Sequence, residues 1–148
     1  MSTPVVFNGV TYSIPAYNDT GYAQGFGNLS TYLIALANIS PINVTGSITG
    51  TGTVTPVATA ASTFSTTVTG ALTINGPTSG TDGQKITFRL LQDGTGHTVT
   101  FATGAGNFRF GTTITSFTAS GANKTDYVGA IWNNAASRWD IVAVAQGF

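Results

Sequence analysis

From Ile42 to Thr55 the chain alternates without a break. The even positions are Ile42, Val44, Gly46, Ile48, Gly50, Gly52 and Val54, and every odd position is Asn, Thr or Ser. A period of two sustained over this length describes extended strand with one apolar face, because a helix would spread the same residues around its whole circumference. The glycines thin the apolar face and mark bulges or close backbone approach. The pattern returns later in denser form. ALTIN (71–75) leads through the turn-rich GPTSGTDG to KITFRLLQ (85–92), where Ile86, Phe88 and Leu90 face one way. The turn Asp93-Gly94-Thr95-Gly96 then predicts a hairpin onto HTVTFA (97–102), with Val99 and Phe101 as the matching inward pair.

Short strands are expected near 107–110 and 113–118, and DYVGAIWN (126–133) with RWDIVAVA (138–145) reads as an antiparallel pair across a NAAS loop. Toward the N-terminus, VVF and VTYSI flank Asn8-Gly9, the signal of a two-residue hairpin between Pro4 and Pro15. Leu29, Tyr32, Leu33 and Leu36 recur at helical spacing behind a possible Asn28 cap, which predicts one short helix at about 29–38. Residues 57–70 offer only Val57, Phe64 and Val68 for burial and read as a surface loop or a strand completed by a neighbouring subunit. The expected architecture is all-β: an antiparallel sandwich or jelly-roll-like β-barrel domain with an extended N-terminal arm carrying the hairpin and the helix. The expected division is an arm at 1–40, a Thr/Gly-rich extended segment at 41–70 and a β-domain at 71–148. A chain of 148 residues suffices for one such core.

Charge narrows the function. Five Lys plus Arg and five Asp, with no Glu, make 7% of the chain, against roughly 25% in ordinary soluble domains. Asp19 is the only charged residue before Asp82, so the first half stays hydrated on Thr, Ser, Asn and Gly. Low charge of zero net sign gives little repulsion between copies and favours association. Nucleic acid is a poor partner for a chain whose first basic residue is Lys85. Cysteine is absent, which removes disulfides, thiolate metal sites and a Cys nucleophile. No secretory signal and no apolar run near the roughly 20 residues of a membrane span is read in the sequence, so synthesis in a cytoplasm and a soluble life there are expected.

The residue inventory leaves little for catalysis. His97 is the sole histidine, directly after a turn, and no Ser lies in a nucleophile-elbow motif for it to serve. Asp82, Asp93 and Asp126 stand where Asp ordinarily supports turns or strand starts, and the five Asp are too scattered for paired-carboxylate chemistry or a calcium cluster. The pairs Gly50/Gly52, Gly94/Gly96 and Gly104/Gly106 lack the third glycine and following helix of a phosphate loop. Asn-x-Ser/Thr matches at Asn18, Asn28, Asn38, Asn43 and Asn123 are ordinary products of composition. The reading is therefore of no enzyme, with no catalytic, cofactor-binding or metal-ligating residue assigned and no cofactor.

Two features admit sharper alternatives. The row Thr49, Thr51, Thr53 and Thr55 offers hydroxyls and methyls of the kind ice-binding surfaces use. It is read instead as β-propensity and charge-free solubility, because it does not repeat along a solenoid. Trp132 and Trp139 sit in neighbouring strands and could make a sugar platform, yet core or subunit interface is the preferred reading.

The stretch from 73 to 148 resembles a module common at the C-termini of tailed-bacteriophage virion proteins. Its landmarks are Gly83-Gln84 before a strand, Leu90-Leu91-Gln92-Asp93-Gly94-Thr95-Gly96, the aromatic-containing strand at Asp126, and the terminal Gly147-Phe148. VVFNGVTYSIPAYNDTGYAQGFGNLSTYLIALA (5–37) is similar to the opening of phage decoration and fibre proteins. The resemblance implies a capsid decoration (cement) or head-fibre protein. Such a protein is often a homotrimer on the capsid exterior whose partners are the major capsid protein and itself, with neither nucleic acid nor membrane involved. Residues 1–40 would attach to capsid and neighbouring protomers. Relatives with these modules are commonly longer fibres. The competing reading is a tail-fibre, baseplate or head-fibre component that binds a host surface glycan, and a free-standing carbohydrate-binding module follows as a third.

Overall fold

The computed structural model describes residues 3–7, 10–14 and 44–148. The chain divides into two compact units, Met1–Pro41 and Ile42–Phe148. In the first, β1 (Thr3–Phe7) and β2 (Val10–Ile14) pair antiparallel from Thr3↔Ile14 to Phe7↔Val10. That is the register expected of a hairpin turning on two residues. The helix expected at 29–38 lies outside the described residues.

The second unit is all-β, and every regular element among its described residues is a strand. These are β3 (Thr45–Ser47), β4 (Gly52–Val54), β5 (Thr63–Val68), β6 (Leu72–Ile74), β7 (Lys85–Gln92), β8 (Val99–Phe101), β9 (Phe108–Arg109), β10 (Thr125–Asn133) and β11 (Arg138–Ala145). They form a six-stranded sheet in the order β3-β5-β7-β10-β11-β9 and a three-stranded sheet in the order β4-β6-β8. From β3 to β8 the chain changes sheet at every strand. It therefore winds three times around one core, and like strands of successive windings stack in parallel: Thr45, Thr63 and Thr87 in one sheet, Thr53, Thr73 and Thr100 in the other. Corners stack as well, with Val57 bridged in parallel to Thr78.

Antiparallel pairing is confined to β7-β10 and β10-β11 here, so the uniformly antiparallel expectation is corrected to a mixed arrangement. The expected hairpin between 85–92 and 97–102 is not formed. Both edges of β7 are occupied, by β5 and β10, so β8 crosses to the other sheet and lies beside β6. Its side-chain assignment survives the change, since Val99 and Phe101 are buried from the opposite layer. Likewise the described part of the alternating stretch, 44–55, forms two short strands in different sheets. The chain turns between them at Gly50, where a Cβ would come within 1.9 Å of the Thr67 carbonyl oxygen, and the Thr69 N–H donates to the Gly50 carbonyl at 2.9 Å. Residues 57–70 supply β5, completed on both sides by strands of the same chain. Phe64 and Val68 are buried as expected, whereas Val57 is exposed. The described part of segment 41–70, residues 44–70, thus belongs to the same sheets as 71–148, and no strand forms over 113–118.

Alternation explains the burial. Along β7, Ile86, Phe88, Leu90 and Gln92 point inward and Lys85, Arg89 and Leu91 outward. Phe88 is fully buried and touches three other rings: Phe64 stacked at 5.6 Å, Phe101 edge-on at 5.4 Å and Phe108 edge-on at 5.7 Å. Phe101 comes from the smaller sheet and meets Phe108 at 5.0 Å, so this cluster ties the two sheets together. Each such ring pair adds about 0.5–1.5 kcal/mol beyond burial. Phe88→Ala should cost about 3–5 kcal/mol, read as a lowered midpoint in urea unfolding. A loss below about 1 kcal/mol, the range of ordinary surface changes, would show that the ring cluster does not hold the sheets.

Candidate interaction surfaces

The side chains with chemical potential are engaged in structure. Asp93 accepts from the N–H groups of Thr95 at 2.8 Å and Gly96 at 3.2 Å, and its other oxygen meets His97 Nε2 at 3.1 Å. The buried Gln92 closes the same turn: its Oε1 accepts from the His97 N–H at 2.7 Å, and its Nε2 donates to the His97 carbonyl at 3.0 Å. His97 is thus part of a turn, the position proposed from sequence. Asp82 accepts from the Asn134 N–H at 2.9 Å and ties the loop before β7 to the β10-β11 loop. Asp140 takes both arms of Arg109 at 2.7 Å and the Asn133 amide at 3.0 Å, reinforcing the parallel β9-β11 pair. Among the described residues no three His, Cys, Asp or Glu lie close enough to share a metal ion.

Among the described charged residues Asp126 is the one most removed from water, with no exposed surface. It accepts from Ser120 N–H at 2.7 Å, Ser120 Oγ at 2.6 Å and Gly147 N–H at 3.1 Å. Three donors offset its desolvation. The result is an anchor: Asp126 fixes the loop at Ser120 and the C-terminal residues to the start of β10. Phe148 then pairs with Thr125 through both its N–H and its carbonyl.

The outer faces differ from this bonded interior. On the smaller sheet, Thr53, Thr73 and Thr100 form one row across the three windings, with Thr53 and Thr100 exposed. Of the sequence row Thr49, Thr51, Thr53 and Thr55, only Thr53 continues into threonines of the next windings. The row is three rungs deep, and at the neighbouring position along the strands Asn75 bonds to Thr55 Oγ1 at 2.9 Å. On the larger sheet, Leu91, Tyr127 and Phe148 are exposed, with the Tyr127 and Phe148 rings edge-on at 5.7 Å. Sequence reasoning gave none of these three an interaction role.

Of the tryptophan pair, Trp139 lies in the core and Trp132 is half-buried against it. Trp139 is fully buried and donates from Nε1 to the Pro77 carbonyl at 2.9 Å, with Trp132 packed at 5.4 Å between ring centroids. Gly80 fits against both indoles, where a Cβ would come within 3.0 Å of each. A stacked sugar has no access to Trp139.

A groove of about 670 Å³ runs beside β8, between that strand and residues 115–121. Val99, Phe101, Phe110 and Phe117 line it together with threonines, and His97 is its only titratable side chain. No sequence motif pointed to it, because its two walls come from separate turn-rich stretches. No family model matches this chain, and neither a curated protein nor a solved structure shows significant similarity to it.

Asp126→Ala would leave three donors without a partner and should cost about 2–4 kcal/mol. Faster amide exchange at Ser120 and Gly147 would report it, and unchanged exchange there would dismiss the anchor. Acid behaviour follows from the other two carboxylates. The Thr95 N–H, then His97, hold Asp93 below its ordinary 3.8, and the Arg109 guanidinium does the same for Asp140. A depressed carboxylate stabilises the fold above its unfolded pKa and loses that contribution as pH falls through the folded value. Stability should therefore be level near neutrality and decline below about pH 4. In the double variant Asp93→Asn/Asp140→Asn the acid decline should be visibly shallower, and an identical pH profile would count against both assignments.

Proposed function

We propose that this chain is a non-enzymatic virion protein that binds the outside of a bacteriophage capsid as a cement, acting as a homotrimer that bridges capsid subunits. The observation that carries the reading is the contrast between interior and surface. The described Asp residues, His97 and Trp139 are committed to turns, ion pairs and core, while the smaller sheet presents an uncharged threonine row and the larger sheet exposes Leu91, Tyr127 and Phe148 together with Lys85, Arg89 and Arg109. Surfaces of this kind gain free energy by docking on other proteins, since apolar area is favourably buried and a hydroxyl, unlike a charge, needs only one remade hydrogen bond to offset its desolvation. A cement protein needs little more. Contacts to several capsid subunits at once multiply modest affinities into firm attachment.

Within this proposal the finer architecture is a short stack of coils closed by the β10-β11 hairpin, with Met1–Pro41 as the separate attachment unit. The tail-fibre or baseplate reading draws on one observation, the parallel stacking itself, because coils that repeat along an axis suit a fibre. The burial of Trp139 weakens its glycan-binding side.

Deletion of residues 2–40 should abolish binding to undecorated phage heads in a sedimentation assay while the remaining unit keeps its cooperative unfolding transition. Undiminished binding by the truncated protein would refute the attachment role of the first unit.

A further inference from the structure

The strand-borne charges of the second unit are sorted by face. Strands β4, β6 and β8 carry none. In the larger sheet Asp126 points inward and is buried, while Lys85, Arg89, Arg109, Arg138 and Asp140 alternate with buried neighbours and so stand on the outer face. Four cations there stand against one carboxylate. Asp140 is already committed to Arg109 through two bonds of 2.7 Å. Neither Lys85 nor Arg89 has a carboxylate partner among the described residues.

Arg89 is held in a fixed place. Its Nε donates to Ser65 Oγ on β5 at 3.0 Å, and among the described residues no bond occupies its two terminal nitrogens, which are the donors that suit an outside carboxylate. The register sets Arg89 directly opposite Tyr127 on β10. The Tyr127 ring meets Phe148 edge-on at 5.7 Å, and Phe148 pairs through its backbone with Thr125, whose other neighbour is Leu91. Val142, left out of the pairing by the bulge at Gly129, is exposed beside them. One face thus joins an exposed apolar patch to unpaired cations.

The size of the face narrows what can cover it. Lys85 to Leu91 spans about 20 Å along β7, and β5 through β9 spans about 19 Å across the sheet. That gives roughly 400 Å², half of the roughly 800 Å² each partner contributes to a standard interface. A second copy docked here by the same face would bring cations against cations with no unpaired carboxylate to offer, and like charges oppose docking. A nucleic acid or anionic glycan would leave Leu91, Val142 and Phe148 uncovered, and it would find Lys85 and Arg89 about 13 Å apart on one strand, far from a continuous basic stripe. A protein surface with carboxylates around an apolar centre matches both parts of the face.

We propose that the outer face of the larger sheet docks on an acidic protein surface, with Lys85 and Arg89 pairing the partner's carboxylates and Leu91, Tyr127 and Phe148 covering its apolar centre. The inference rests on the docking role proposed above and deepens it by assigning the face and the charge of the partner, in addition to the attachment unit Met1–Pro41. A contact of this area is weak singly and becomes firm when several copies bind at once.

Immobilised poly(Glu,Tyr), a random acidic polypeptide with aromatic side chains, serves as the probe, with heparin and duplex DNA beside it. Full-length protein should bind the polypeptide more tightly than either polyanion, and less tightly as salt rises from about 50 to about 500 mM. Two variants at exposed positions lower the net charge equally on opposite faces: Lys85→Gln/Arg89→Gln and Thr53→Glu/Thr100→Glu. The first should bind about tenfold more weakly with its thermal transition unchanged, and the second should bind like the parent. Leu91→Ser should weaken binding while keeping the parental salt dependence. A parent that ignores the polypeptide, equal binding by the two charge variants, or tighter binding to heparin or DNA would each overturn the proposal. Undecorated heads separate it from the capsid reading. Heads that bind the parent and Lys85→Gln/Arg89→Gln equally overturn the face and keep the cement role, whereas a parent that binds the polypeptide but no heads keeps the face and removes the cement role.

Discussion

The Phe88 ring cluster is the contact on which the second unit depends. A chain that changes sheet at every strand from β3 to β8 must hold two layers together across each winding, and the windings are short: β3, β4, β6 and β8 have three residues each. Ladders of that length contribute little alone. Phe64, Phe88 and Phe108 from the larger sheet and Phe101 from the smaller one provide the cross-layer adhesion. The longer antiparallel strands β7, β10 and β11 then give the stack a firm side, with Trp139 seated beneath by its bond to Pro77.

Because the interior takes the aromatic side chains and the carboxylates serve turns and anchors, the surface inherits threonine, serine and glycine. This division connects fold to proposed role. A sheet face built from Thr53, Thr73 and Thr100 resists neither water nor a protein partner, and the cluster of Leu91, Tyr127 and Phe148 adds apolar area at the end of the larger sheet. Asp126 links these regions, since the same carboxylate positions Ser120 in the groove wall and Gly147 before the terminal Phe148.

Local patterning made part of this legible. Inward and outward positions of β7, the β10-β11 pair with Trp132 opposite Trp139, and the β1-β2 register all follow from period-two alternation and short turns. Pairing partners were less legible. Asp93 to Gly96 carries the same residues as a hairpin turn, but the bonds that finish it come from the Gln92 side chain to the His97 backbone and send the chain across the core. Nothing local distinguishes these outcomes; the occupied edges of β7 decide. Parallel stacking of Thr45, Thr63 and Thr87 joins residues whose separation in the chain varies from winding to winding, so no fixed repeat announces it. The Gly50 corner was visible only as a weak point in a strand. The groove beside β8 was illegible for a related reason, because one of its walls forms only once β8 has left β7 for β6.

In the proposed cement role this polypeptide covers a shell in many copies. Quantitative densitometry of purified phage particles containing it, with the major capsid protein as internal standard, should give hundreds of copies per particle in a simple ratio to capsid subunits. A count of a few copies would place the chain on a tail or fibre and contradict it.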